Sequence, residues 1–176
     1  MNPIRRRVVA CLLALAGLAV VPAAADAAQF VVNSTAETGG SCPTPTTCTL
    51  PQAINDSNTT TGDDVIDFNL SLPATITLTG ALPAINPTTS ADKLSINGPG
   101  ANLLTVTMDQ TQCPINDPIF RFSRGTSTMS GLTVSGGCNT QSLEASGINN
   151  DSSSTLTLDK VIVDSNVGDA NNAQAA

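Results

Sequence analysis

The side chains that could do chemistry are few, and the densest group is Asp63, Asp64 and Asp67. Three carboxylates this close are weak candidates for calcium ligands, since calcium takes several oxygen donors. Asp64 and Asp67 could also form a hydrolytic pair. Their separation is odd, however, so on a regular strand they face opposite sides. The plainer reading is a solvated strand edge whose charges discourage pairing with other chains. An eliminating mechanism would need a basic residue beside the cation, and Arg121 and Arg124 are the arginines beyond the N-terminal segment. Arg121 lies between Phe120 and Phe122, so strand alternation turns it outward while both rings turn in. The chain has no His, Trp or Tyr. That removes the usual general base and excludes Ser–His and Cys–His nucleophile systems. No catalytic residue and no cofactor-binding pattern is assigned.

Cysteine is the other reactive type. Cys11 lies in an apolar leader, which leaves Cys42, Cys48, Cys113 and Cys138. Their spacing suggests one local bridge, Cys42–Cys48, and a second, Cys113–Cys138. Three connectivities exist for four cysteines, and sequence alone does not choose among them. With no His and no Cys-x-x-Cys pair, a zinc site is disfavoured.

Residues 1–28 read as a secretory signal peptide. Arg5, Arg6 and Arg7 form a positive start, and Val8 to Val21 is an apolar run too short for a comfortable membrane span. Ala23-Ala24-Ala25 and Ala25-Asp26-Ala27 offer cleavage sites. Export would place the cysteines in an oxidising compartment. Residues 29–176 then form one domain, with 29–62 as an N-terminal cap and 63–176 as coils. The mature chain keeps four basic residues (Lys93, Arg121, Arg124, Lys160) against thirteen acidic ones, a net charge of −9. Nucleic-acid binding needs a basic stripe to neutralise phosphates, so that class is set aside. Attachment to anionic membranes is disfavoured for the same reason. No transmembrane segment is read in the mature chain.

The elements that must position these residues are short. Phe30-Val31-Val32-Asn33 reads as a first strand. Thr49 is an N-cap, with Gln52 completing a capping box and Pro51 in the first turn, where its missing N–H costs little. Leu50, Ala53 and Ile54 give the helix a small apolar face, and it fades near Asn55–Asn58. From Asp64 onward the period is two. Val65–Phe68, Thr75–Leu78, Leu94–Ile96, Leu132–Val134 and Val161–Val163 read as strands, each followed by turn residues such as Asn97-Gly98-Pro99-Gly100. Met129–Gly136 aligns with Leu158–Ser165 at an offset of 29 residues, and Leu94–Ile96 aligns with Phe120–Phe122 at 26. Coils of similar but unequal length point to a parallel β-helix. A β-sandwich is the rival, but it should show two-residue hairpin turns.

The segment Cys48-Thr49-Leu50-Pro51-Gln52-Ala53-Ile54 resembles the CSLREA motif found near the N-terminus of exported bacterial proteins. In that family the motif precedes right-handed parallel β-helix repeats. Ile96–Leu104 resembles the family's corner, and Met129–Val134 is similar to one coil of the polymorphic outer-membrane-protein type of repeat. The family's Arg-Glu pair is Pro51-Gln52 here. The resemblance implies an all-β, right-handed, single-stranded parallel β-helix with a short N-terminal capping helix, in a chain truncated at its C-terminal end. It implies a secreted or cell-surface, non-catalytic scaffold or adhesin-like module, with surface glycans or other envelope proteins as partners. The alternative is a carbohydrate-active β-helix enzyme, a polysaccharide lyase or glycoside hydrolase. An open last coil would also favour self-association.

Overall fold

The computed structural model describes residues 27–40, 42, 47–139 and 145–168. The expected signal peptide lies outside these residues except for Ala27 and Ala28. The described chain is a parallel β-solenoid of about three turns.

The path begins with β1 (Gln29–Val32), then the helix α1 (Leu50–Ser57). The first coil carries β2 (Asp64–Phe68) and β3 (Ala74–Leu78). The second carries β4 (Lys93–Asn97), β5 (Leu104–Met108) and β6 (Phe120–Phe122). The third carries β7 (Gly125–Ser130), β8 (Thr133–Ser135) and β9 (Ile148–Asn150). A last described coil adds β10 (Ser154–Asp159) and β11 (Ile162–Asp164). Every strand pairing among the described residues is parallel. Sheet A runs β1-β2-β4-β7-β10, sheet B runs β3-β5-β8-β11, and sheet C pairs β6 with β9. Ile85 extends sheet C through a parallel bridge to Phe122. Parallel pairing of strands about 30 residues apart excludes the hairpins of a sandwich.

Register makes the core a set of columns. In sheet A, Phe30, Ile66, Ile96, Met129 and Leu158 stand above one another. In sheet B the column is Ile76, Val106, Val134 and Val163. Most are fully buried, but exposure rises to 45% at Leu158 and 44% at Val163 in the last described coil. Phe120 and Phe122 close the third side, both fully buried, with ring centroids 6.3 Å apart.

The repeat offsets confirm one sequence alignment and correct the other. Met129 does pair with Leu158, and Val134 with Val163. Leu94-Ser95-Ile96, by contrast, pairs with Ser127-Thr128-Met129, an offset of 33, while Phe120 pairs with Ile148. Both triplets alternate apolar residues, but they lie on different sheets of the same coil. The true partner is disguised because an inward position is occupied by Ser127, which is buried at 2% exposure.

α1 covers the first coil. Thr49 caps it, its hydroxyl accepting from the Gln52 N–H at 3.4 Å. The reciprocal half of the capping box is not made, because the Gln52 amide donates instead to Asp56 at 2.7 Å. Leu50, Ala53 and Ile54 are fully buried against β1 and β2. The loop before the helix is tied down by the Cys42–Cys48 disulfide and by paired bonds between Asn33 and Cys48: Cys48 N–H to Asn33 Oδ1 at 2.8 Å, Asn33 N–H to Cys48 O at 3.0 Å. The second disulfide, Cys113–Cys138, joins the segments that follow β5 and β8. It therefore links two successive coils at the same corner.

The corner between sheets A and B needs glycine. A Cβ on Gly98 would lie 2.2 Å from the Gly131 carbonyl oxygen, so the coils approach there backbone to backbone. Gly131 also has φ +60°, and one coil on the equivalent position is Lys160 at φ +53°. The left-handed conformation is thus shared by Gly131 and Lys160 but not by Gly98, where the close backbone approach alone calls for glycine.

Candidate functional site

The three acidic candidates are separated by the register. Asp64 starts β2 facing inward and is 4% exposed. Its carboxylate accepts from the Ala28 N–H at 2.9 Å and from the Thr60 hydroxyl. A buried carboxylate is tolerated when hydrogen bonds replace its hydration, and here they anchor the chain entering β1 to the first coil. Asp67 faces outward, accepting from Gln29 at 2.6 Å and Asn97 at 3.1 Å. Asp63 precedes the strand and is exposed, paired with Lys93 Nζ at 3.2 Å. Each carboxylate engages a different neighbour, and Asp64 is a buried structural group where a solvated edge was expected. Among the described residues, no three His, Cys, Asp or Glu side chains gather as a group that could hold a metal ion.

Arg121 occupies the outer face of sheet C, and Phe120 and Phe122 turn in on either side, as alternation requires. It does meet carboxylates. Its guanidinium lies 3.0 Å from Asp117 and 3.9 Å from Asp151. Asp151 also accepts from Asn149 at 2.7 Å and from the Ser123 hydroxyl at 3.0 Å. This cluster is the densest charged arrangement on sheet C. Asp117 lies only four residues before Arg121 and meets it locally, whereas Asp151 carried no signal in sequence because β6–β9 pairing brings it to Arg121.

Arg124 is a clasp. It donates to the carbonyls of Pro87 and Thr88, which belong to the loop of the preceding coil. Nearby Asp92 sits below the usual carboxylate range. Partial desolvation pushes it up, but hydrogen bonds from the Thr89 N–H and hydroxyl and from Gly62, together with the charge of Arg124, outweigh that.

Sheet B carries a different surface. Its outward residues stack as two rows: Thr75, Thr105 and Thr133 in one, Thr77, Thr107 and Ser135 in the other. All six bear hydroxyls and none bears a charge. Thr75, Thr77, Thr105 and Thr107 make no side-chain hydrogen bond among the described residues, whereas Thr133 donates to the Ala101 carbonyl at 2.6 Å. The signal was present in the sequence as three recurrences, Thr75-Ile76-Thr77, Thr105-Val106-Thr107 and Thr133-Val134-Ser135.

No protein-family model matches the chain, and no curated protein or solved structure is significantly similar to it. Among the described residues, no helix is long and apolar enough to cross a membrane.

Proposed function

We propose that this chain is a non-catalytic β-solenoid module, exported or displayed at a cell surface, that acts by presenting its outer sheet faces. The observation that carries this reading is the coil stack itself, whose outward positions form extended rows. Two supports are independent of it. The pairs Cys42–Cys48 and Cys113–Cys138 are bridged in a way compatible with an oxidising compartment. The leader read at residues 1–28 and the resemblance of Cys48–Ile54 to the CSLREA motif point to export. The same resemblance suggests surface glycans or envelope proteins as partners.

The test is expression of the full chain in a secreting bacterial host, followed by fractionation and thiol alkylation. The reading predicts an exported product shortened near residue 28, with all four remaining cysteines blocked. A full-length cytoplasmic product with free thiols would contradict it.

A second reading, a carbohydrate-active enzyme, is favoured by one arrangement, Arg121 between Asp117 and Asp151. It predicts calcium-dependent cleavage of a polyuronate that disappears in Asp151→Asn. A polyuronate screen with and without calcium separates the two readings, because the first predicts no cleavage.

A further inference from the structure

We infer that the outer face of sheet B binds the surface lattice of ice. The inference rests on the register of sheet B and is independent of export. Parallel coils space neighbours within each row about 4.8 Å apart, and the two rows, residues i and i+2 on each strand, lie roughly 6.6 Å apart. The result is a two-dimensional array of side chains. An array periodic in two directions gains from its periodicity only when its ligand repeats in both directions too. The oxygen lattice of ice repeats near both distances.

The chemistry of the array fits the same ligand. Threonine presents a methyl and a hydroxyl from one branched carbon, and its χ1 is restricted, so neighbouring side chains hold a common arrangement. Methyl groups restrict adjacent water, while hydroxyls can take part in its hydrogen bonds. The face is neutral in a chain of net charge −7. Sheet A provides the contrast: its central outward row, Val65, Ser95, Thr128 and Thr157, is neutral, but Lys93 on one side and Asp67 and Asp159 on the other put charges in both flanking rows. A neutral, hydroxyl-bearing lattice complements a neutral, hydroxyl-bearing solid. A crystalline polysaccharide is the competing periodic ligand, but sugars are commonly held by aromatic platforms. This chain has no Trp or Tyr; Phe30, Phe120 and Phe122 are buried, and Phe68, half-buried on sheet A, packs against the core and lies off the sheet B face.

The rows end at Ile162 and Asp164, which take the next rung. Three rungs make a small patch. The expected activity is therefore capture of the protein by growing ice and inhibition of recrystallisation, with little depression of the freezing point.

The experiment is ice-affinity partitioning of the purified chain: a polycrystalline ice front is grown slowly through the solution, and protein is assayed in the ice and in the liquid. The wild-type chain is expected to concentrate in the ice. Thr105→Lys, at the centre of the array, should reduce its capture to the level of a non-binding control protein. Thr128→Lys, outward on sheet A, should leave capture unchanged. The double variant I162T/D164T extends both rows by one rung and should increase capture, so the proposal does not depend on a loss that misfolding could mimic. Circular dichroism accompanies each variant. Exclusion of the wild-type chain from ice overturns the inference, as does equal capture of folded Thr105→Lys. Binding to crystalline chitin or cellulose combined with exclusion from ice would assign the face to a polysaccharide lattice instead.

Discussion

The outer faces of sheets A and B are built on the same coils, yet they differ in kind. In sheet A, one outward row reads Val31, Asp67, Asn97, Ser130 and Asp159, another Lys93, Thr126 and Thr155, and the neutral row Val65, Ser95, Thr128 and Thr157 runs between these two charged ones. In sheet B, both rows are hydroxyls through three rungs. The central inward columns show no such contrast, since Phe30, Ile66, Ile96 and Met129 in sheet A and Ile76, Val106 and Val134 in sheet B are all buried and apolar, while Asp64 and Ser127 stand in a second inward column of sheet A. Parallel stacking repeats whatever residue stands at each position, so inward rows are constrained by packing and outward rows are free to vary. A uniform outward row is therefore the more informative kind, and sheet A mainly organises the stack through local pairings such as Asp63–Lys93.

If the inward rows are equivalent, equivalent deletions should cost the same. Ile96→Ala in sheet A and Leu104→Ala in sheet B each remove a fully buried side chain, and each should destabilise by about 2–5 kcal/mol. Urea unfolding measures both; a large cost in one sheet and none in the other would break the symmetry of the core.

The next effect lies at the corner where the two faces meet. Gly131→Ala puts a Cβ on a residue at φ +60°, where it would lie 2.5 Å from the Gly98 carbonyl oxygen. The left-handed conformation alone costs about 1–2 kcal/mol, so thermal unfolding should show a loss at least that large. Wild-type stability would mean that the coils do not approach at that corner.

A third change sharpens the comparison in the opposite direction. The Ser127 hydroxyl is buried in a sheet A column between Leu94 and Leu156, with no hydrogen-bond partner among the described residues. Ser127→Ala removes an unsatisfied group at little loss of volume and should stabilise by about 1 kcal/mol. Destabilisation of that size would show that the hydroxyl has a partner in solution.

The smallest effect is electrostatic and belongs to the end of β5. Asp109 accepts from the Thr111 N–H at 2.9 Å and from its hydroxyl at 2.8 Å, and these bonds hold its carboxyl below the usual range. A folded-state value below the unfolded one contributes stability that is present above the unfolded value and is lost as pH falls through the folded value. Asp109→Asn should therefore be slightly less stable near neutrality, and its deficit should shrink in acid. A deficit independent of pH would remove the carboxylate from the explanation.

Much of the stack is legible in the sequence. Alternation located β2, β3 and β4, and the 29-residue offset matched Met129 with Leu158 because both coils carry apolar residues at the inward positions. Thr49, Leu50 and Ile54 announced the capping helix. Three things were hidden. Alternation reports inside and outside but does not say which sheet a triplet joins, so Phe120–Phe122 was aligned with Leu94–Ile96. Ser127 broke the apolar column that marks their true neighbour. Asp151 reaches Arg121, and the Ala28 N–H reaches Asp64, only through coil stacking, which sequence spacing does not encode. The hydroxyl rows were visible as Thr-x-Thr recurrences, but their meaning depends on register.

That register is the central claim, and nuclear Overhauser contacts in the isotope-labelled chain test it most directly. The account predicts contacts linking Thr75 to Thr105 and Thr105 to Thr133, with no close Hα–Hα contacts between neighbouring strands of sheet B. Hα–Hα contacts of antiparallel pairing, or rows displaced by one residue so that Ile76 meets Thr105, would contradict it.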